Sequence, residues 1–149
     1  MSRLVCLNDM QRDTRLARLL HVLIHMSLRG GTTNSETIAK MLHTQPSLVR
    51  RTMAALREAG YVESIAGPGG GWVLSCEIGD LTVRDVYAAI AHTSAFAIGT
   101  AQDNPACPVE SAVNQFLGDA LDSAEDALLR RLAKVRLSDI ARKIKAAAR

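Results

Sequence analysis

Residues 67–71 read Gly-Pro-Gly-Gly-Gly and separate two short runs of β-forming residues, Tyr61–Ser64 and Trp72–Leu74. Four glycines in five residues permit a tight hairpin turn and let the backbone approach another surface closely. No Lys-Ser or Lys-Thr pair follows, so the stretch is not the phosphate-binding loop of nucleotide-binding proteins. The sequence therefore predicts a β-hairpin with an unusually glycine-rich turn.

Two helical segments joined by a short turn precede this hairpin. Ser35 is expected to cap the first segment, and Pro46 suits the first turn of the second, where its missing N–H costs nothing. The second helix is expected to continue to about Ala59 and to end at Gly60. Positions expected to face the core are Ile38, Ala39, Leu42, Leu48 or Val49, Met53 and Leu56. A helix-turn-helix followed by a glycine-rich hairpin is typical of a winged-helix DNA-binding domain.

Helical spacing continues on both sides of this region. A helix from about Asp13 to Gly30 is expected to turn Leu16, Leu19, Leu20, Leu23, Ile24 and Leu28 inward. After the hairpin the sequence predicts a helix from Asp80–Thr82 to Ile90, a long helix from Pro108, and a short helix Ser138–Ala148 capped by Ser138. The predicted fold class is mainly α (α+β): a winged helix-turn-helix with a two-stranded wing and a long C-terminal dimerisation helix.

Four segments follow from this pattern. They are an N-terminal arm at residues 1–12, a DNA-binding domain at 13–75, a connecting helix and sensor loop at 76–107, and a dimerisation helix with a basic final helix at 108–149. The charges are distributed unevenly among them. Residues 1–75 carry nine basic and five acidic groups, whereas residues 76–149 carry nine basic and ten acidic groups. A basic first half favours a polyanionic partner.

The composition restricts the cellular setting. The chain has 149 residues, 48% of them hydrophobic and only 3% aromatic, which favours packed helices over an aromatic-rich β-sandwich. No apolar run reaches the roughly 18–20 residues that span a bilayer, and no convincing signal-peptide cleavage site is present. Three widely separated cysteines, Cys6, Cys76 and Cys107, argue against a disulfide framework. We expect a cytoplasmic protein without membrane attachment.

Several motifs together resemble those of the Rrf2 family of bacterial winged-helix transcriptional regulators. They are Ser35-Glu36-Thr37-Ile38-Ala39, Pro46-Ser47, Leu56-Arg57-Glu58-Ala59-Gly60-Tyr61-Val62, Gly67-Pro68-Gly69-Gly70-Gly71-Trp72-Val73-Leu74 and Leu81-Thr82-Val83-Arg84-Asp85-Val86. The resemblance covers residues 13 to about 140. It implies a homodimer in which the long helix from Pro108 crosses its partner.

Two departures from the family pattern change the expectations. Members that bind an iron–sulfur cluster carry three closely spaced cysteines after the helix that here ends at Ile90, whereas this chain has only Cys107 there. The run Asn104–Val109 is similar to a branch of the family without that motif, so we expect no cofactor and no metal. Ala66 stands where an arginine often precedes the wing glycines, which removes one charge expected at the DNA minor groove.

The recognition helix supplies the candidate base-reading residues. Gln45, Ser47 and Arg50 lie nearest its start, where side chains reach base edges in the major groove, and Arg51 is placed to meet phosphate. The full set expected to contact double-stranded DNA is Ser35, Gln45, Pro46, Ser47, Arg50, Arg51, Arg57, Gly69, Gly70 and Gly71. A solvated helix face and a plain hairpin turn are the structural alternatives.

Apolar residues of the long helix have little other chain to pack against, which favours an intermolecular helix pair and a two-fold dimer. The residues expected in that interface are Val109, Val113, Phe116, Leu117, Ala120, Leu121 and Leu128. A two-fold dimer would present two recognition helices to a near-palindromic operator.

Cys107 precedes the long helix, and a helix N-terminus lowers a thiol pKa and favours oxidation. The hypothesis is a redox or electrophile sensor, with an ordinary small apolar residue as the alternative. A metal or cluster site joining Cys107 to His92, His21 or Cys6 is a further alternative. For the whole chain, the sequence-based interpretation is a DNA-binding regulator and repressor. The alternatives are a protein–protein winged-helix module, a regulator responding to a small ligand or metal, and an enzyme, for which no catalytic motif is found.

Overall fold

The computed structural model describes residues 13–90 and 95–148, and the chain divides after Ile78 into two compact units. The predicted N-terminal arm at residues 1–12 lies outside the described residues, as does His92 in the predicted sensor loop. The predicted segment boundaries at residues 75 and 107 stay predictions.

The first unit contains, within residues 13–78, three helices followed by a hairpin. In chain order its elements are α1 (Arg15–Arg29), α2 (Ser35–Met41), α3 (Pro46–Glu58), β1 (Val62–Ile65) and β2 (Gly71–Leu74). The strands pair antiparallel, from Val62 opposite Leu74 to Ile65 opposite Gly71. This order confirms the predicted helix-turn-helix and its two-stranded wing.

Apolar side chains from all three helices of the first unit are buried together. The fully buried large ones include Leu23, Met26, Ile38, Met53 and Leu56. On α3, Val49 is fully buried. Of the two candidates that the sequence left open, Leu48 and Val49, the inward-facing residue is therefore Val49. On α1 the prediction was wrong at Leu28, which is 37% exposed. Leu28 lies in the last turn of α1, and Met26 supplies the buried contact near that end instead.

The cap of α2 is Asn34, so the prediction of Ser35 was wrong by one residue. The Asn34 side-chain oxygen accepts a hydrogen bond from the Thr37 backbone N–H at 2.8 Å. Asparagine and serine cap helices about equally well, and the sequence places them side by side. Ser35 is the first helical residue, and its hydroxyl accepts a hydrogen bond from the Trp72 indole N–H at 3.2 Å.

The second unit is helical in its described residues. A short 3-10 turn, Ile78–Asp80, leads into it, and its helices are α4 (Val83–Ala88), α5 (Pro108–Leu132) and α6 (Leu137–Ala147). The backbone before α4 pairs with the turn between α5 and α6: Val83 N–H donates to Val135 C=O, and Leu137 N–H donates to Leu81 C=O. The predicted start of the long helix at Pro108 is confirmed.

Two helix boundaries in this unit differ from the prediction. Thr82 and Asp85 form a reciprocal capping box, so α4 begins at Val83 and ends at Ala88, before the predicted Ile90. Asp139 accepts the Arg136 backbone N–H at 3.0 Å, so α6 begins at Leu137 and Ser138 is not its cap. That hydrogen bond, with the nearby Arg142, lowers the pKa of Asp139. In both cases a carboxylate three residues into the helix fixes its start.

All of α5 lies within the described residues, and none of its side chains is buried in this chain. Val109 is 70% exposed, Val113 50% and Phe116 73%. Leu117, Leu121 and Leu128 are half-buried and Ala120 is exposed. The helix ends at Leu132, so all seven residues expected in the dimer interface lie on it.

Candidate nucleic-acid interface

The outward face of α3 carries the predicted recognition residues. Its inward face is fixed by Val49, Met53 and Leu56, which are fully buried. At 100° per residue, Ser47 and Arg51 lie on the side opposite this buried face. Arg50 and Arg57, seven residues apart, share one flank of the helix. The predicted residues Gln45, Pro46, Ser47, Arg50, Arg51 and Arg57 are all exposed.

The three arginines of α3 make no ion pair with any residue in the described part of the chain, where the ion pairs found are Arg15–Asp13 and Arg142–Asp139. An arginine held in an intramolecular pair must break that pair before it can bind a phosphate or a guanine. Arg50, Arg51 and Arg57 are therefore available to an anionic partner.

The turn between α2 and α3 holds a residue that sequence reasoning overlooked. His43 has a φ of 47°, a left-handed conformation that histidine adopts more readily than most side chains. It lies at an open depression of about 490 Å³ lined by Glu36, Ala39, Lys40, His43, Thr44 and Pro46. A positive φ cannot be read from a single histidine in a sequence. The depression borders the start of α3, next to the predicted base-reading residues.

At two positions of the wing, neighbouring backbone atoms of the same chain leave no room for a side chain. A Cβ on Gly70 would lie 2.2 Å from the Ile65 carbonyl oxygen, and one on Gly71 would lie 2.7 Å from the Thr33 carbonyl oxygen. Neither backbone oxygen can move aside as a flexible side chain could. Both residues are half-buried, whereas Gly69 is exposed at the tip of the hairpin. Of the three predicted wing contacts, Gly69 is thus the one best placed to approach a partner.

Ser35 is half-buried and already engaged with Trp72 of β2. A hydroxyl has one hydrogen to donate and two lone pairs to accept. Because Ser35 accepts from Trp72, its own hydrogen remains to be donated. A phosphate oxygen is a suitable acceptor.

Cys107 stands at the N-cap position of α5, in the second unit, and is half-buried. The nearby backbone N–H groups of Glu110 and, to a lesser extent, Val109 lower the pKa of the thiol, against a smaller opposing effect of burial. The direction agrees with the expectation for a cysteine at a helix N-terminus. Its role as a sensor stays a prediction.

Neither a metal cluster nor a membrane span is found among residues 13–90 and 95–148. No group of three or more His, Cys, Asp or Glu side chains is arranged to hold a metal ion there. Cys107 and His21 belong to different units, and Cys6 and His92 lie outside the described residues. No helix in this part of the chain is long and apolar enough to cross a membrane.

Comparison with known proteins identifies the family of this chain. The family model named Rrf2, described as an iron-dependent transcriptional regulator, matches residues 12–143. The chain belongs to the Rrf2 family. It is similar to YwnA of Bacillus subtilis strain 168, which is named as an HTH-type transcriptional regulator, with 31% identity over 86% of this chain and 95% of the relative.

Solved structures support the same fold. A crystal structure described as that of a DNA-binding protein is 31% identical, with a TM-score of 0.68, and covers 85% of this chain and 97% of the other. CymR of B. subtilis, described as the global cysteine regulator, is 22% identical with a TM-score of 0.58, over 89% and 97% of the two chains. The latter similarity concerns the fold alone. This Rrf2 protein is a DNA-binding transcriptional regulator.

The family description names iron, and the described donor set does not fit an iron centre. The described cysteines are Cys76 and Cys107, one in each unit. Within the described residues, neither cysteine belongs to a group of three or more His, Cys, Asp or Glu side chains that could hold a metal ion.

Proposed function

We propose that this Rrf2 regulator is a cytoplasmic homodimeric repressor that binds a near-palindromic operator through α3 and the wing. The observation that carries the proposal is the exposed face of α3, where three arginines form no ion pair with a described residue. We assign no catalysed reaction and no bound cofactor to the chain.

The α3 residues divide by position between base reading and phosphate binding. Gln45, Ser47 and Arg50 lie near the helix start, which enters the major groove first in helix-turn-helix proteins. Arg50 can bind guanine O6 and N7 with two hydrogen bonds. Arg51 and Arg57 are placed to hold phosphates, which fix the protein's register on the duplex without reading sequence. The Ser35 hydroxyl and the wing backbone at Gly69 supply further backbone contacts.

The homodimer rests on α5. Val109, Val113 and Phe116 are large apolar residues that this chain leaves at least half exposed. Burial of such a side chain is worth about 1.5–3 kcal/mol, and a second copy of α5 offers the same surface in return. A two-fold interface of this kind sets the spacing of the two α3 helices, and hence that of the operator half-sites.

We assign the sensing of the inducing signal to Cys107. Its lowered pKa increases the thiolate fraction, which is the form that oxidants and electrophiles attack. A modified Cys107 would change the start of α5 and so the dimer geometry. Replacement of Cys107 by Ser should abolish oxidant-dependent release of DNA, and unchanged release in that variant would remove this part of the proposal.

DNA binding by the purified protein tests the central part. Duplexes recovered by the chain from fragmented genomic DNA are labelled, and binding is followed by fluorescence anisotropy. Arg50→Ala should cost about 1–3 kcal/mol and relax sequence preference at one position. Arg84→Ala, at an exposed arginine of α4 in the other unit, is the matched control and should bind like the parent chain.

Two alternatives predict different results in the same experiment. A winged-helix module that binds proteins would shift no DNA probe at moderate salt. A regulator that responds to a small ligand or a metal ion would bind the probe, and oxidants would not change its DNA affinity, whether or not Cys107 is present.

A further inference from the structure

Two histidines on α1 lie against each other outside the proposed DNA interface. His21 and His25 are four residues apart, with ring centroids 4.7 Å apart and ring planes tilted by 42°. Residues at this spacing share one face of a helix. His21 is exposed and His25 is half-buried, so solvent reaches the pair.

This geometry suits chelation of one metal ion by two imidazoles. Zinc binds histidine nitrogen at about 2.0–2.1 Å in a tetrahedral arrangement, which places two coordinated nitrogens roughly 3.3 Å apart. Rings whose centroids are 4.7 Å apart can bring one nitrogen each to that separation with small side-chain rotations. A His-x-x-x-His pair on one helix face is also how zinc proteases present two of their ligands.

A basic side chain that precedes the pair on α1 already has a hydrogen-bond partner. Arg18, one turn before His21, donates a hydrogen bond to the Thr14 hydroxyl at 3.2 Å, which turns its charge toward the helix start. A neutral imidazole is the form that binds a metal.

We propose that His21 and His25 form a binding site for one divalent transition-metal ion of the zinc class, with water completing its coordination. The ligands are borderline nitrogen donors, which suit Zn²⁺, Cu²⁺ and Ni²⁺ and disfavour Mg²⁺ and Ca²⁺. Because α1 packs against α3 and β2, a bound ion would stabilise the winged unit against unfolding.

Isothermal titration of the full chain with zinc chloride tests the site. We expect one binding event, with an affinity that falls by at least about tenfold in His21→Gln and in His25→Gln. Loss of a residue that only hydrogen-bonds to a metal ligand already costs about that much, and loss of the ligand itself should cost no less. His43→Asn removes an isolated exposed histidine, and Cys107→Ser removes a thiol. Both should bind zinc like the parent chain.

Histidine ring resonances in NMR spectra give a second measurement that does not depend on a variant folding. Zinc should shift the signals of His21 and His25 together, saturating at one equivalent, and leave those of His43 in place. Unchanged affinity in both glutamine variants would overturn the site. Loss of binding in Cys107→Ser would also overturn it, because the ion would then be held by a thiol.

Discussion

Thr33 and Trp72 exchange two backbone hydrogen bonds, from Thr33 N–H to Trp72 C=O at 2.9 Å and from Trp72 N–H to Thr33 C=O at 2.8 Å. The residue just before α2 and its cap is therefore paired to the second wing strand. The Trp72 indole strengthens this link through the Ser35 hydroxyl. In consequence the wing is attached to the entry of the helix-turn-helix, and both can meet DNA as one surface.

Loss of the α2 cap should destabilise the first unit. Asn34→Ala removes the acceptor for the Thr37 N–H, and loss of an N-cap side chain typically costs about 0.5–2 kcal/mol. Urea unfolding of the two variants Asn34→Ala and Ser35→Ala measures it. Asn34→Asp keeps a side-chain acceptor and should retain most of the stability. If Asn34→Asp were as unstable as Asn34→Ala, and Ser35→Ala were more destabilising than either, Asn34 would not be the cap.

The turn of the wing should not accept a side chain at Gly70. Ala at this position would place its Cβ 2.2 Å from the Ile65 carbonyl oxygen, so the hairpin must distort. We expect Gly70→Ala to destabilise the unit by more than about 1 kcal/mol, because crowding against backbone cannot be relieved by a rotamer change. Ala66→Gly, at an exposed position beside the turn, is the control. Equal unfolding midpoints for Gly70→Ala and the parent chain would contradict the turn geometry.

Sequence reasoning was most reliable where a signal is local. Pro46 and Pro108 mark helix starts because proline tolerates the first turn of a helix, and both were confirmed. It failed at the α2 cap, since Asn34 and Ser35 are equivalent in propensity and the choice depends on where the backbone turns.

Features that join distant parts of the chain could not be predicted. The pairing of Thr33 with Trp72 spans the helix-turn-helix, and no local pattern indicates it. The wing glycines were interpreted as room for DNA, whereas Gly70 and Gly71 are constrained by neighbouring backbone oxygens.

The exposed face of α3, in contrast, could be predicted from helical periodicity alone. Val49, Met53 and Leu56 recur at helical spacing and are buried, and their burial fixes which side of the helix faces outward.

A charge placed on α5 should separate the proposed dimer. Phe116 is 73% exposed in the single chain, and Phe116→Asp would carry a carboxylate into the interface, where an unpaired charge is strongly unfavourable. Analytical ultracentrifugation should show a dimer for the parent chain and a monomer for this variant. Ser111→Asp lies about 140° away round the helix and should stay dimeric. A dimeric Phe116→Asp would show that α5 is not the interface.

Cys107 should react as a thiolate at lower pH than an ordinary cysteine. The Glu110 and Val109 backbone N–H groups lower its pKa, so the alkylation rate should rise at lower pH than in an unstructured peptide of the same sequence. Iodoacetamide labelling from roughly pH 6 to pH 10, read by mass spectrometry of the Cys107 peptide, covers the ordinary cysteine range. A midpoint equal to or above that of the peptide would contradict the geometry at the start of α5.

The salt dependence of DNA binding tests the central claim most directly. Each phosphate contact adds about 0.9 to the slope of log affinity against log salt concentration. With an operator duplex, Arg51→Ala should reduce that slope by about 1, whereas Arg84→Ala should leave it unchanged. If Arg50→Ala and Arg51→Ala both bind the operator with the affinity and salt slope of the parent chain, α3 is not the DNA-reading surface.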